Sequence, residues 1–255
     1  MSEPLAPSEN LSPISPAPAR RRTARRLEAA AEVVLCSGVP TQLVVGTLLQ
    51  SAGLVAAPEG STLTLGFVAP LLLVDTILVI ALMMFFIRTR GERVRDIWWG
   101  SRPWGREMWL GISLVPLVLL LAIVLLNGLR LVAPWLHSVP VNPLEQMASQ
   151  GAGEAVLFGI VAIVGGGVRE ELQRAFMLHR FEHHLGGTVV GLVVVSLAFG
   201  IGHVQQGLDA VVATGVLGLF WAVVYLKRRS CIAPITSHAA FNSLEILRVA
   251  LLGAT

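Results

Sequence analysis

The sequence contains few charged residues. Only 14% of its 255 residues are charged and 54% are hydrophobic, and the mean hydropathy is +0.72. Soluble globular domains keep roughly a quarter of their residues charged. This shortage excludes an ordinary soluble domain and indicates a chain whose surroundings are mostly lipid.

Cysteine and lysine are also scarce. The two cysteines, Cys36 and Cys231, lie in or beside apolar segments without metal-type spacing, so the sequence has no disulfide framework and no sign of a redox centre. Of the 19 basic residues 18 are arginine, a bias that favours a bacterial source. The basic residues cluster beside hydrophobic runs, as membrane topology requires, so they do not indicate a nucleic-acid partner.

Several long apolar stretches are candidates for transmembrane helices. Crossing the hydrocarbon layer takes about 20 mostly apolar residues in a helix. We therefore predict an all-α, polytopic transmembrane helix bundle of about seven spans without an internal repeat. The predicted spans are 32–55, 62–87, 107–133, 153–179, 187–204, 208–226 and 231–253.

The distribution of arginine predicts the orientation. Residues 1–26 are rich in Pro, Ser, Ala and Arg, and we interpret them as a disordered basic cytoplasmic tail rather than a cleaved signal peptide, with a single transmembrane domain over 27–255. The connections 56–61, 134–152 and 205–207 contain no Lys or Arg, whereas each alternate connection contains at least one. The positive-inside rule then places the N-terminus in the cytoplasm, and we expect a bacterial inner membrane as the location.

One predicted span contains an unusual run of charges, Arg-Glu-Glu-Leu-Gln-Arg, from Arg169 to Arg174. An ionisable side chain at the centre of a spanning helix costs at least about 2.5–3.5 kcal/mol. Glu170 and Glu171 lie four and three residues before Arg174, so one arginine can touch both carboxylates and keep a general base ionised. The glycines at 165–167 leave space for close approach. The alternative is that this run is the wet cytoplasmic end of its span.

Two further motifs place histidines in apolar helices. Phe199 and His203 end one span, and His238 and Asn242 lie four residues apart in the last one. Residues at this spacing share a helix face, so His238 and Asn242 suit hydrogen bonding to an oxyanion. Structural hydrogen bonding between helices is the alternative for this pair.

In this order, the three motifs resemble the CPBP family, which contains the type II CAAX prenyl endopeptidases and bacterial Abi or bacteriocin-immunity relatives. The family pattern is a double glutamate separated by three residues from an arginine, then Phe-x-x-x-His, then His-x-x-x-Asn or Asp. The second and third motifs are complete, and the resemblance covers about residues 150–250, which we expect to form the catalytic core.

The first motif departs from the family pattern. Only two residues separate Glu171 from Arg174. If Arg174 fixes the register, Glu170 stands in the place of the second glutamate and Arg169 in that of the first. If the glutamates fix it, Arg174 is turned by about 100° on the helix. Glu170 is a motif residue in either register, and which glutamate activates water stays open.

The resemblance implies an intramembrane endopeptidase, with possible CAAX-type processing of a prenylated protein or peptide. A glutamate would activate water, His203 would assist in activating or orienting it, and His238 and Asn242 would stabilise the oxyanion. The predicted catalytic residues are Glu170, Glu171, His203, His238 and Asn242, with Arg174 and Phe199 in support. The expected partners are a peptide or lipidated-protein substrate and membrane lipids.

Cofactors and other functions need separate weighing. We expect no cofactor, and we place a zinc-dependent variant held by Glu170, His203 and His238 second, because no His-Glu-x-x-His pair is present. The alternative functions are a non-proteolytic immunity or binding protein on the same scaffold, and a transporter or proton relay, which the lack of repeats disfavours. Asp75, an isolated acid in the second span, is predicted to hydrogen-bond within the bundle.

Overall fold

The structure, a computed structural model, describes residues 19–57 and 64–253. These residues form ten α-helices and contain no strand, which confirms the predicted all-α class for the described ranges. The helices are α1 (Ala19–Leu35), α2 (Val39–Ser51), α3 (Leu65–Thr89), α4 (Trp104–Val132), α5 (Pro143–Ala148), α6 (Ala152–Val161), α7 (Glu170–His184), α8 (Thr188–Ile201), α9 (Leu208–Arg228) and α10 (Ile232–Leu252). Two π-helical segments, Arg95–Trp99 and Ala162–Arg169, and two 3-10 turns, Pro134–Leu136 and Val204–Gln206, join them.

Five helical stretches in the described ranges are long and apolar enough to cross a membrane. They are Arg22–Ser51, Leu65–Thr89, Trp104–Val132, Ala152–His184 and Leu208–Arg228. The other two predicted spans correspond to α8, which is apolar but has only 14 residues, and to α10, which has 21 residues. Polar side chains, including the candidate site residues His238 and Asn242, lower the hydropathy of α10. The count of seven therefore stays a prediction.

The first predicted span is built from two helices. Gly38, with φ of 86°, separates α1 from α2, and Pro40 lies in the first turn of α2, where its missing amide hydrogen costs little. Helix α1 begins at Ala19, so residues 19–26 of the predicted tail lie in a helix. The remainder of that tail, residues 1–18, lies outside the described residues.

An ion-pair network joins α1, α3 and α7 at the arginine-rich end of the bundle. Fully buried Arg180 donates to Glu32 through Nε at 2.5 Å and to Glu92 through Nη1 at 2.6 Å. Arg90 donates to the second oxygen of Glu32 at 2.6 Å, and His179 lies 3.0 Å from the second oxygen of Glu92. Burial would raise the pKa of Glu92, but hydrogen bonds from His179 and Arg180 outweigh it and lower the pKa to about 2.

The segment after α3 is tied down by hydrogen bonds from buried aromatic side chains. Trp98 Nε1 donates to the carbonyl of Leu172 at 3.1 Å, and the Tyr225 hydroxyl donates to the carbonyl of Ile97 at 2.9 Å. The π-helical segment Arg95–Trp99 is thereby fixed against α7 and α9. This end of the bundle is a stable base from which α7, α9 and α10 extend toward the polar residues inside.

Candidate active site

A cavity of about 320 Å³ lies among α6, the second π-helix, α8, α9 and α10. Apolar side chains such as Leu217 and Ile246 form part of its wall. Four of the five predicted catalytic residues also line it: Glu170, His203, His238 and Asn242. Residues from all three sequence motifs are therefore brought to one enclosed space.

Two glycines let the π-helix approach α10 closely. A Cβ atom at Gly166 would stand 2.6 Å from Nδ2 of Asn242, and one at Gly167 would stand 2.7 Å from Cβ of Ala239. Asn242 Nδ2 donates to the carbonyl of Ala162, at the start of the π-helix, at 3.3 Å. Long π-helical turns are rare and occur mostly at functional sites. Here the π-helix ends immediately before Glu170, the first residue of α7.

The two glutamates have different surroundings. Glu171 is 2% exposed, and its Oε1 accepts hydrogen bonds from Arg174 Nη1 and from His238 Nδ1, the latter at 2.8 Å. Glu170 is partly exposed to the cavity and is contacted by Arg169 Nη2 at 3.5 Å. The expectation that Arg174 contacts both carboxylates is corrected: the structure pairs it with Glu171. Consecutive side chains leave a helix about 100° apart, so each glutamate meets a different arginine.

This pairing bears on the shortened first motif. Arg174 reaches Glu171 across three residues, so a buried Glu–Arg pair forms even though one residue fewer separates the two motif positions. The guanidinium also lies over the ring of Phe199, 4.5 Å from its centroid. The arrangement favours the register set by the glutamates, with Glu170 at the cavity and Glu171 behind it. Arg174 thus contacts both Glu171 and Phe199, and the supporting role of Arg174 and Phe199 stays a prediction.

His238 is held in position from two sides. Its ring stacks on Trp221 with centroids 3.9 Å apart and planes at 14°. Because a carboxylate only accepts hydrogen bonds, Nδ1 carries a hydrogen toward Glu171. Nε2 then lies 4.0 Å from Oε2 of Glu170. The ring therefore joins the buried carboxylate to the one at the cavity.

His203 presents one free nitrogen to the site. Its Nδ1 lies 2.8 Å from the carbonyl oxygen of Phe199, which can only accept, so Nδ1 carries the hydrogen. Nε2 of the neutral ring is left as an acceptor. The ring packs against that of Phe199 with centroids 4.8 Å apart, which restricts its rotation.

Asp75 belongs to a second group of buried polar residues next to the site. It is fully buried and accepts hydrogen bonds from Thr41 Oγ1, from Gln42 Nε2 at 3.1 Å and from Arg169 Nη1 at 3.0 Å. The predicted hydrogen bonding of Asp75 within the bundle is confirmed. Sequence reasoning did not identify Arg169 as its partner, because 94 residues separate the two.

The far end of the cavity carries polar residues that the sequence did not identify. Asp209 is 3% exposed and lies 2.8 Å from Nδ1 of His137 and 3.9 Å from Nε of Arg130. Asn142 Nδ2 donates to Gln206 Oε1 at 3.3 Å. Acidic residues are common in the first turn of a helix, so the sequence alone did not mark Asp209 as a candidate site residue.

The positions of the acidic, histidine and cysteine side chains also bear on metal binding. Within residues 19–57 and 64–253, no group of three or more His, Cys, Asp or Glu side chains is arranged to hold a metal ion. Glu170, His203 and His238 border one cavity, but they do not form such a group. Zinc dependence therefore stays the second prediction, behind a site without a cofactor.

Comparison with known proteins agrees with this geometry. Residues 152–244 match the family described as Type II CAAX prenyl endopeptidase Rce1-like. The matched region contains all three motifs, and the resemblance drawn from them is thereby confirmed. The chain is an integral membrane protein, and its residues 152–244 are similar to this peptidase family. No curated protein and no solved structure matches the chain.

Proposed function

We propose that this protein is an intramembrane endopeptidase that hydrolyses a peptide bond at or near the membrane with a glutamate-activated water. One observation carries the proposal: Glu170 of α7, His203, which follows α8, and His238 and Asn242 of α10 line a single cavity. A carboxylate base, an imidazole and amide donors are a sufficient set for amide hydrolysis.

The first step is attack by water. The water oxygen forms a bond to the carbonyl carbon while Glu170 accepts one of its protons, and Nε2 of His203 orients the water by accepting a hydrogen bond from the other. The carbonyl π electrons move onto oxygen and give a tetrahedral oxyanion. When this intermediate collapses, the C–N bond breaks, and the leaving nitrogen takes the proton held by Glu170. The products are a carboxylic acid and an amine.

Asn242 and His238 stabilise the oxyanion. One Nδ2 hydrogen of Asn242 is directed to the Ala162 carbonyl, which leaves the second for the substrate. His238 already donates from Nδ1 to Glu171, so Nε2 donates to the oxyanion only when the ring is doubly protonated. Glu171 therefore acts through His238, and Arg174 fixes Glu171.

The membrane arrangement follows from the arginine distribution. We propose seven spans, with α8 and α10 as the fifth and seventh, and a cytoplasmic N-terminus in a bacterial inner membrane. The basic connections alternate with connections that lack Lys and Arg, as the positive-inside rule requires. The substrate is a peptide or lipidated protein, with a CAAX-type prenylated chain end as the form that the family match suggests.

The test is cleavage of a quenched fluorescent farnesylated peptide by the protein purified in mild detergent. We expect Glu170→Gln and His203→Ala to lower kcat by at least about 100-fold, because general acid–base groups contribute that much. Glu154→Gln is the matched control, since this exposed glutamate lies on the same long helical stretch. It makes the same chemical change outside the cavity and leaves the rate unchanged.

Four outcomes separate the candidate functions. Loss of cleavage in both site variants, with no effect of EDTA, supports the glutamate mechanism. Loss with EDTA that zinc restores moves the assignment to a metalloenzyme. Full activity of a folded Glu170→Gln variant contradicts the proposal. A folded wild-type protein that cleaves none of a panel of prenylated and unprenylated peptides favours the non-proteolytic immunity or binding function.

A further inference from the structure

A chain of buried charges connects the first half of the bundle to the cavity. Arg169 is 6% exposed, and its guanidinium lies between two carboxylates. Nη1 donates to Oδ2 of Asp75 at 3.0 Å, and Nη2 lies 3.5 Å from Oε1 of Glu170. The shorter contact is with Asp75, so this arginine is held mainly by α3 and only loosely by the carboxylate that faces the cavity.

The surroundings fix Asp75 in place. Thr41 and Gln42 of α2 both donate to its carboxylate, one to each oxygen. The turn before α2 leaves room for the arginine. A Cβ atom at Gly38 would stand 2.9 Å from Nη1 of Arg169, and the φ of 86° there already disfavours any other residue. Helices α2 and α3 and the turn at Gly38 therefore surround the guanidinium of Arg169.

The charge of Arg169 is balanced between its two neighbours. A buried guanidinium without a counterion is strongly unfavourable, and Asp75 provides that counterion. If Asp75 were neutral, the full positive charge would act on Glu170 and make it a weaker proton acceptor. If Arg169 were neutral, Glu170 would face Asp75 without an intervening cation, and the ionised form of Glu170 would be disfavoured.

We infer that Arg169 is a positioning residue for Glu170. Asp75 determines how strongly the positive charge of Arg169 lowers the proton affinity of the Glu170 carboxylate. The inference rests on the proposed function of Glu170 as the general base. It assigns a role in catalysis to α2 and α3, which lie outside the family match at residues 152–244. Neither Asp75 nor Arg169 touches the substrate in this scheme.

Other charged groups face Glu170, and the test must leave them unchanged. His238 Nε2 lies 4.0 Å from Oε2 of Glu170, and the Glu171–Arg174 pair follows on α7. Glu245 of α10 and His203, two residues after the end of α8, line the same cavity, as do Arg130, His137, Glu145 and Asp209. Arg248 pairs with Glu145 and Glu245. Substitutions at Asp75 and Arg169 keep all of these side chains.

The experiment is the pH dependence of kcat/KM for the farnesylated peptide, in the full-length protein. In Asp75→Asn, we expect the midpoint of the acidic limb to move to lower pH by about one unit, because an uncompensated cation favours the carboxylate. In Arg169→Gln, it moves to higher pH by a similar amount. The double variant removes both charges, so its midpoint lies between those of the two single variants. Arg169→Lys keeps the charge and stays close to wild type.

Opposite shifts distinguish this role from a structural one. Loss of packing lowers the rate in both single variants but does not move the acidic limb in opposite directions. The matched control is Asp96→Asn, a change of the same kind at an exposed residue, which leaves the profile unchanged. Shifts in the same direction, or no shift in Asp75→Asn, overturn the inference. If Arg169→Gln does not fold, the direction of the shift in Asp75→Asn decides.

A second readout separates this inference from the proposed function. Infrared titration follows the protonated carboxyl band of Glu170, which is assigned by its loss in Glu170→Gln and needs no catalysis. Opposite shifts of that band in the two single variants support the inferred role of Asp75 and Arg169, even in a protein that does not cleave the peptide. An inactive Glu170→Gln variant supports the protease function. If the band is unshifted in both single variants, the inferred role of Asp75 and Arg169 is overturned while the protease function stands.

Discussion

Two polar clusters of this molecule, one at its arginine-rich end and one at the cavity, differ in how completely their charges are paired. At the arginine-rich end, Glu32 and Glu92 have a partner on each of their four carboxylate oxygens, at 2.5 to 3.0 Å. At the cavity, the charged partners of Glu170 among the described residues lie no closer than 3.5 and 4.0 Å. Saturated carboxylates hold helices together, whereas a loosely contacted one keeps acceptor capacity for a water molecule.

This contrast predicts different consequences for the two clusters, and the largest expected effect concerns the cavity. Glu170→Gln removes the proposed base without leaving a buried charge, so we expect a loss of at least about 100-fold in kcat with little change in melting temperature. Cleavage assays and thermal melting on the same preparation measure both. A large fall in melting temperature would show that Glu170 also has a structural role and would weaken the contrast.

The opposite pattern is expected for Arg180→Met at the arginine-rich end. The substitution leaves Glu32 and Glu92 without their shared partner, and breaking a buried pair in this way costs about 3–5 kcal/mol. We expect a large fall in thermal stability, while the fraction that stays folded cleaves with the wild-type KM and pH profile. An altered pH profile would mean that the network reaches the active site.

A smaller effect is expected where the π-helix meets α10. In Gly167→Ala the new methyl group stands 2.7 Å from Cβ and 3.0 Å from Cα of Ala239, next to His238. Such overpacking costs about 1–3 kcal/mol and displaces the oxyanion donors, so kcat falls along with stability. Gly159→Ala is the control, since nothing lies within 4 Å of its added methyl group. Equal behaviour of the two variants would contradict the proposed close approach.

The smallest expected effect is an acid sensitivity of the arginine-rich end. The pKa of Glu92 is lowered from 4.5 to about 2 in the folded protein. The stabilisation from its ionised form is therefore present above pH 4.5 and is lost as the pH falls from there toward 2. We expect the difference in melting temperature between wild type and Glu92→Gln to shrink over that interval. A difference that does not depend on pH would contradict this assignment.

Sequence reasoning predicted candidate residues for the site, but it did not predict most of their contacts. Glu170, His203, His238 and Asn242 were recognised because ionisable and polar groups are costly in apolar helices and stand out there. The Glu171–Arg174 contact follows from helical spacing alone. The family match covers the same region of the chain. Each of these signals is local in sequence.

The remaining features depend on distant parts of the chain. Arg169 meets Asp75 across 94 residues, and Arg180 meets Glu32 across 148. No local pattern predicts such partners. The π-helix at Ala162–Arg169 was not predicted either, because its glycines are compatible with any open turn. The polar residues at the far end of the cavity come together only when α4, α9 and the segment after α4 are packed.

The contacts around Arg169, beside the turn at Gly38, limit how this protein can be divided or recombined with relatives. A fragment from residue 152 onward carries every motif, yet it lacks the acid and the two donors of α2 and α3 that surround the guanidinium of Arg169. We therefore expect the motif region to lose its function when it is transferred alone. We expect chimeras that exchange it between relatives to work only when the counterpart of Asp75 is exchanged with it.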